Sequence, residues 1–174
     1  MSTPIQQHID TWLKEQDLAP ERQNTDKGTT GWRFTLAEHL QAELFCYEST
    51  EEDVTAVLLA SVQLKPGDNP TTLAAAIAPA LAPLSIMVVE DALSLRLLLQ
   101  GKVGHVAALL EEGIVLTRHV LFSVGSRIVE LAEGKIPMQN AMVQALQALH
   151  GNEGRAPRKA EPTVSTKGPL QAGS

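Results

Sequence analysis

An α+β fold is predicted for this chain: one antiparallel sheet, a three-strand meander plus a hairpin, packed by an N-terminal, a middle and a long C-terminal helix. Three observations predict it. Apolar residues recur at every second position in residues 32–36, 40–48, 54–64 and 93–99, the period of half-buried strands. They recur at helical spacing in residues 5–13, 73–81 and 104–133. The strands of each group are joined by short polar connections, which favour antiparallel pairing.

The first helix is capped by Ser2 or Thr3, has Pro4 at a favourable first position, and carries Ile5, Ile9, Trp12 and Leu13 on one side. It is expected to end near Leu18, before Pro20, and residues 21–31 read as a loop. Trp32, Phe34 and Leu36 then share one strand face. In the next strand Leu40, Ala42, Leu44 and Cys46 share one face, and Phe45 and Tyr47 lie on the other. That second face is either open to a docking peptide or added strand, or covered by the first helix. The third strand puts Val54, Ala56, Leu58, Ala60, Val62 and Leu64 together.

The segment Lys65-Pro66-Gly67-Asp68-Asn69-Pro70 breaks the chain and starts the middle helix, with Asn69 as cap and Pro70 first. Leu73, Ile77 and Leu81 form its stripe, and Pro79 must kink or end it. Residues 86–89 and 93–99 make a hairpin around Glu90-Asp91. The long helix that follows is more apolar than one sheet face can cover: Leu121, Phe122 and Ile128 lie beyond its main stripe. The last helix or a second subunit must supply another surface. Residues 138–149 form a short amphipathic helix, and residues 1–150 one domain. Residues 151–174 have almost nothing to bury and are expected to be disordered.

Charge narrows the partners. The chain carries −6 at neutral pH, yet residues 151–174 hold four cations against two carboxylates, leaving about −8 on the rest. Such a body repels nucleic acid. The apolar stretch around residues 113–131 contains Arg118, His119, Arg127 and Glu130, too polar for a bilayer span. The first residues lack the basic, apolar and cleavage regions of a signal peptide, so a cytoplasmic protein is expected. No catalytic or metal-binding constellation stands out, and no cofactor is expected. Cys46 is the only cysteine, His105 and His119 are four helical turns apart, and Glu111-Glu112 reads as solvated charge.

The order helix, meander, helix, hairpin, long helix resembles the type III secretion chaperones, including the CesT-like Tir chaperones, and the related YbjN-like proteins. The resemblance covers residues 5–131 and rests on Val57-Leu58-Leu59-Ala60-Ser61-Val62 before a Pro/Gly loop, on residues 73–81, and on the hairpin leading into the long helix. It implies a homodimeric, non-catalytic virulence chaperone that keeps a client segment secretion-competent. Ile5, Ile9, Leu13, Trp32, Phe34, Phe45 and Tyr47 would carry the client, and Leu121, Phe122 and Ile128 the dimer interface. The alternatives are a YbjN-like scaffold without a secreted client, and a small-ligand binder.

Overall fold

A computed structural model describes residues 3–25, 29–37, 40–48 and 52–151. Six strands form one open antiparallel sheet in the order β1-β2-β3-β4-β6-β5: β1 Glu21–Asn24, β2 Thr30–Ala37, β3 Leu40–Glu48, β4 Asp53–Gln63, β5 Leu84–Val89 and β6 Ala92–Lys102. The helices α1 Pro4–Glu15, α2 Asp68–Ile77, α3 Val106–Val120, α4 Ser126–Ala132 and α5 Met138–His150 pack as a layer on one face. The predicted α+β class and the meander-plus-hairpin sheet are therefore present.

The sheet has one strand more than expected. Residues 21–24 are all polar and carry no period, so β1 is made by its neighbour: Glu21 pairs with Arg33 and Asn24 with Thr30. A side-chain bond ties it to α1, Arg22 Nη2 donating to Gln6 Oε1 at 2.7 Å. The N-terminus of α1 carries a capping box, with Thr3 Oγ1 accepting from the Gln6 amide and Gln6 Oε1 accepting from the Thr3 amide. That helix ends at Glu15, a turn earlier than expected.

The middle helix begins at Asp68, one residue ahead of the expected cap, with Gly67 at the cap position and no side-chain capping bond. Pro79 acts as anticipated: the α-helix stops at Ile77 and a tighter 3-10 turn runs through Ala78–Leu81. Glu90 and Asp91 both adopt left-handed conformations, φ 48° and 59°, and join Val89 to its partner Ala92 as a two-residue hairpin. The strand β6 continues through Gly101-Lys102, beyond the predicted alternation of residues 93–99.

One core joins all of this. Trp32, Phe34 and Leu36 of β2, Leu44 and Cys46 of β3, Leu58 of β4 and Leu93, Leu95 and Leu97 of β6 face the helices. The Cys46 thiol is buried among them. Close approach of α3 to β6 requires small residues, since a Cβ on Gly113 would stand 2.9 Å from Leu99 Cδ2. Between α3 and α4, Leu121–Gly125 form a π-helical turn. The second surface demanded by the long helix comes largely from α2 and α5, both of which pack against its C-terminal half.

Candidate protein-binding surface

The sheet buries one face, so its alternate residues lie on a face that carries no helix. Three registered rows across that face define its chemistry. In the central row Phe45 stands between Gly31 and Val57, and Val57 in turn pairs with Leu98. In the row beside it Glu43 pairs with Arg33 and Leu59, and Leu59 with Arg96. On the other side Tyr47, Thr55 and Gln100 align. The result is an apolar band crossing four strands, flanked by polar rows.

Local sequence explains each part of the band. The Phe45 ring lies across Gly31, whose absent side chain leaves room: a Cβ there would be 3.1 Å from Phe45 Cε1. Val57, short among longer neighbours, is only 4% exposed although no helix covers it. Leu98, at one end of the band, is 50% exposed, and Tyr47, in the flanking row, 44%. Further out on this face Met87 and Val89 of β5 are about half exposed. The polar row is held by Arg33, whose Nε and Nη2 donate to Glu43 Oε1 at 3.1 and 2.8 Å.

The band ends at an unfilled strand position. Strand β5 pairs with β6 only from Leu84 opposite Leu97 to Val89 opposite Ala92. Leu98–Lys102 pair with β4 on one side and, among the described residues, with no strand on the other. In an antiparallel strand alternate residues direct N–H and C=O to each side, so this stretch offers backbone partners to an incoming chain. A concavity of about 200 Å³ adjoins it on the helix side, lined by Pro83, Leu97, Leu99, Leu109, Gly113 and Leu116 among others. A strand placed there would find apolar surface above and below. At its far end Lys102 Nζ lies 2.7 Å from Asp53 Oδ1, and that hydrogen bond raises the lysine above its ordinary pKa.

The expected client residues separate into two sets. Ile9, Leu13, Trp32 and Phe34 belong to the core, exposed by 2% or less, and Ile5 is half-buried against it. The register is the reason: Trp32 pairs with Leu44 and shares its helix-facing side, whereas Phe45 points the other way. Only Phe45 and Tyr47 of that group lie on the uncovered face, and α1 packs on the opposite one. The expected dimer residues also divide. Leu121 and Ile128 are core residues, 4% and 0% exposed, so neither can meet a second subunit in the folded chain; Phe122 is 61% exposed. Leu98 and the vacant position beside it were missed. The signal was the length mismatch between residues 86–89 and the longer alternation of residues 93–99.

Among the described residues no helix is long and apolar enough to cross a membrane, and no three His, Cys, Asp or Glu cluster as metal ligands. Of the expected disordered tail, residues 151–174, all but Gly151 lie outside the described residues; the Gly151 amide donates to the Gln147 carbonyl at the end of α5. No protein-family model matches the chain, and neither a curated protein nor a solved structure does.

Proposed function

We propose that this chain is a non-catalytic, cytoplasmic chaperone or adaptor that binds an extended segment of another polypeptide, in the manner of the dimeric type III secretion chaperones it resembles. The observation that carries this reading is the apolar band from Phe45 through Val57 to Leu98, ending at the vacant pairing edge of β6. A client strand laid along Leu98–Lys102 gains main-chain hydrogen bonds, while its alternate side chains reach the band on one side and the concavity on the other. Such binding needs no ATP and no reacting group. The acidic body keeps the free protein soluble and favours basic client segments. A second copy is part of the proposal.

The test uses fluorescein-labelled, reduced and carbamidomethylated ribonuclease A, a basic unfolded polypeptide, titrated with the whole chain and read by anisotropy. Wild type is expected to bind, and Leu98→Asp to bind roughly tenfold or more weakly, about the effect of losing 1.4 kcal/mol. Its melting temperature should not move, because Leu98 is half exposed. Absence of binding by wild type contradicts the chaperone reading. Equal binding by Leu98→Asp contradicts the site.

A further inference from the structure

The outward surface of α3 carries a pattern that the client site does not use. Val115 and Phe122 are 59% and 61% exposed, the two most exposed large apolar side chains of the described residues. They lie seven residues apart, two helical turns, with exposed Ala108 a further two turns back on the same stripe. Ionisable side chains flank Val115 asymmetrically. Glu111 and Glu112 precede it by one turn, and Arg118 and His119 follow it by one turn.

This pattern is complementary to itself when reversed. If a twofold axis passes through Val115 perpendicular to the helix, the second copy's α3 runs antiparallel. Val115 then meets Val115 of the other copy, Glu111 meets His119, Glu112 meets Arg118, and the small Ala108 receives Phe122. Each contact occurs twice, as an isologous interface requires. A parallel arrangement would instead set carboxylates against carboxylates and align the helix dipoles unfavourably.

The supporting structure is fixed from behind. Arg118 Nε donates to the Leu36 carbonyl at 2.9 Å, anchoring that side chain over the end of β2. Phe122 sits in the π-helical turn, where the extra residue lets Leu121, Val124 and Ile128 all stay in the core while Phe122 remains outside. Ser123 Oγ and Ser126 Oγ donate to the carbonyls of His119 and Phe122, both at 2.7 Å, which satisfies acceptors loosened by that turn.

We infer that two copies of this chain associate through the outward stripe Ala108–Glu111/Glu112–Val115–Arg118/His119–Phe122 of α3, packed antiparallel about a twofold axis at Val115. The inference rests on the homodimer part of the functional reading and supplies its surface. It leaves the uncovered sheet face of each copy, on the opposite side of the molecule, available to a client.

Sedimentation equilibrium and light scattering of the whole chain at 1–100 µM test it. Wild type is expected to dimerise. Val115→Asp is expected to raise the dissociation constant roughly 30-fold or more without unfolding the chain, since Val115 is solvent-exposed. Glu111→Lys/Glu112→Lys makes the stripe all cationic, and Arg118→Glu/His119→Glu all anionic; each alone should be monomeric and their equimolar mixture dimeric. Circular dichroism melts show that each variant is folded. Should Arg118→Glu/His119→Glu unfold through loss of the Leu36 contact, the single variants His119→Glu and Glu111→Lys, which face each other in this register, replace the pair in the mixing test. A wild-type dimer that persists in Val115→Asp and in the lysine variant overturns this surface and spares the homodimer reading. A monomeric wild type overturns both. Variants that stay monomeric when mixed overturn the antiparallel charge pairing.

Discussion

Trp32→Ala is expected to cost about 3–5 kcal/mol of folding stability, the range for truncating a large buried aromatic. Trp32 is wholly buried on the helix-facing side of β2, within the core cluster that includes Ile9 and Leu13 of α1 and Leu44 of the neighbouring strand. Its removal leaves a cavity in the seam between helix and sheet, where neither side can collapse freely. With a urea slope of about 2 kcal/mol per molar, the midpoint should fall by about 2 M. The result separates two roles for an aromatic in the first strands. A client-binding residue would lose affinity and keep its midpoint; Trp32 should lose its midpoint. An unchanged midpoint would mean that α1 does not pack as described.

The second large effect is expected at Ile128. Ile128→Asp should prevent folding at neutral pH, because a carboxylate would be placed unpaired at a position with no exposure. Lost burial of the isoleucine, about 2 kcal/mol, adds to a desolvation cost of several more. Domains of this size are stable by only about 5–15 kcal/mol. Phe122→Asp, six residues earlier, should leave the monomer within about 0.5 kcal/mol of wild type, since its ring is mostly in water. Far-ultraviolet circular dichroism of the two variants at micromolar concentration decides the matter. If both unfold, the π-helical turn does not set the facing of this helix. If Ile128→Asp folds normally, Ile128 is not in the core.

These contrasts show how far the sequence could be read. Period two identified the strands, and the strongest patterns, residues 54–64 and 93–99, became the two longest strands, β4 and β6, which pair with each other. Period two does not say which face of a weaker strand the helices take. In β3 both faces are partly apolar, with Leu44 and Cys46 on one and Phe45 and Tyr47 on the other. Register alone sorted them, by placing Leu44 opposite Trp32 and Leu58. Grouping Trp32 and Phe34 with Phe45 and Tyr47 was therefore an error of facing, not of composition.

Two features were invisible for different reasons. Strand β1 has no apolar residue, so its conformation comes from pairing with β2 and from the Arg22–Gln6 bond. The π-helical turn adds one residue to a helix whose apolar residues already surround it. Without the turn, Leu121, Phe122 and Ile128 could not be divided between core and surface by counting. The vacant position beside Leu98 was latent in the unequal lengths of the hairpin's two runs, although Pro83 is what ends the shorter strand's lane: it has no N–H to donate.

Amide hydrogen exchange on β6, with and without the unfolded polypeptide, tests the central claim most directly. In the free protein, amides of Leu98–Lys102 that point away from β4 should exchange fast, while those of Leu93–Leu97 stay protected between β4 and β5. On adding saturating carbamidomethylated ribonuclease A, the fast set should slow roughly tenfold or more, as unpaired strand amides become bonded. Slow exchange of that set in the free protein, or no change when the polypeptide is bound, would contradict capture of an extended chain at this edge.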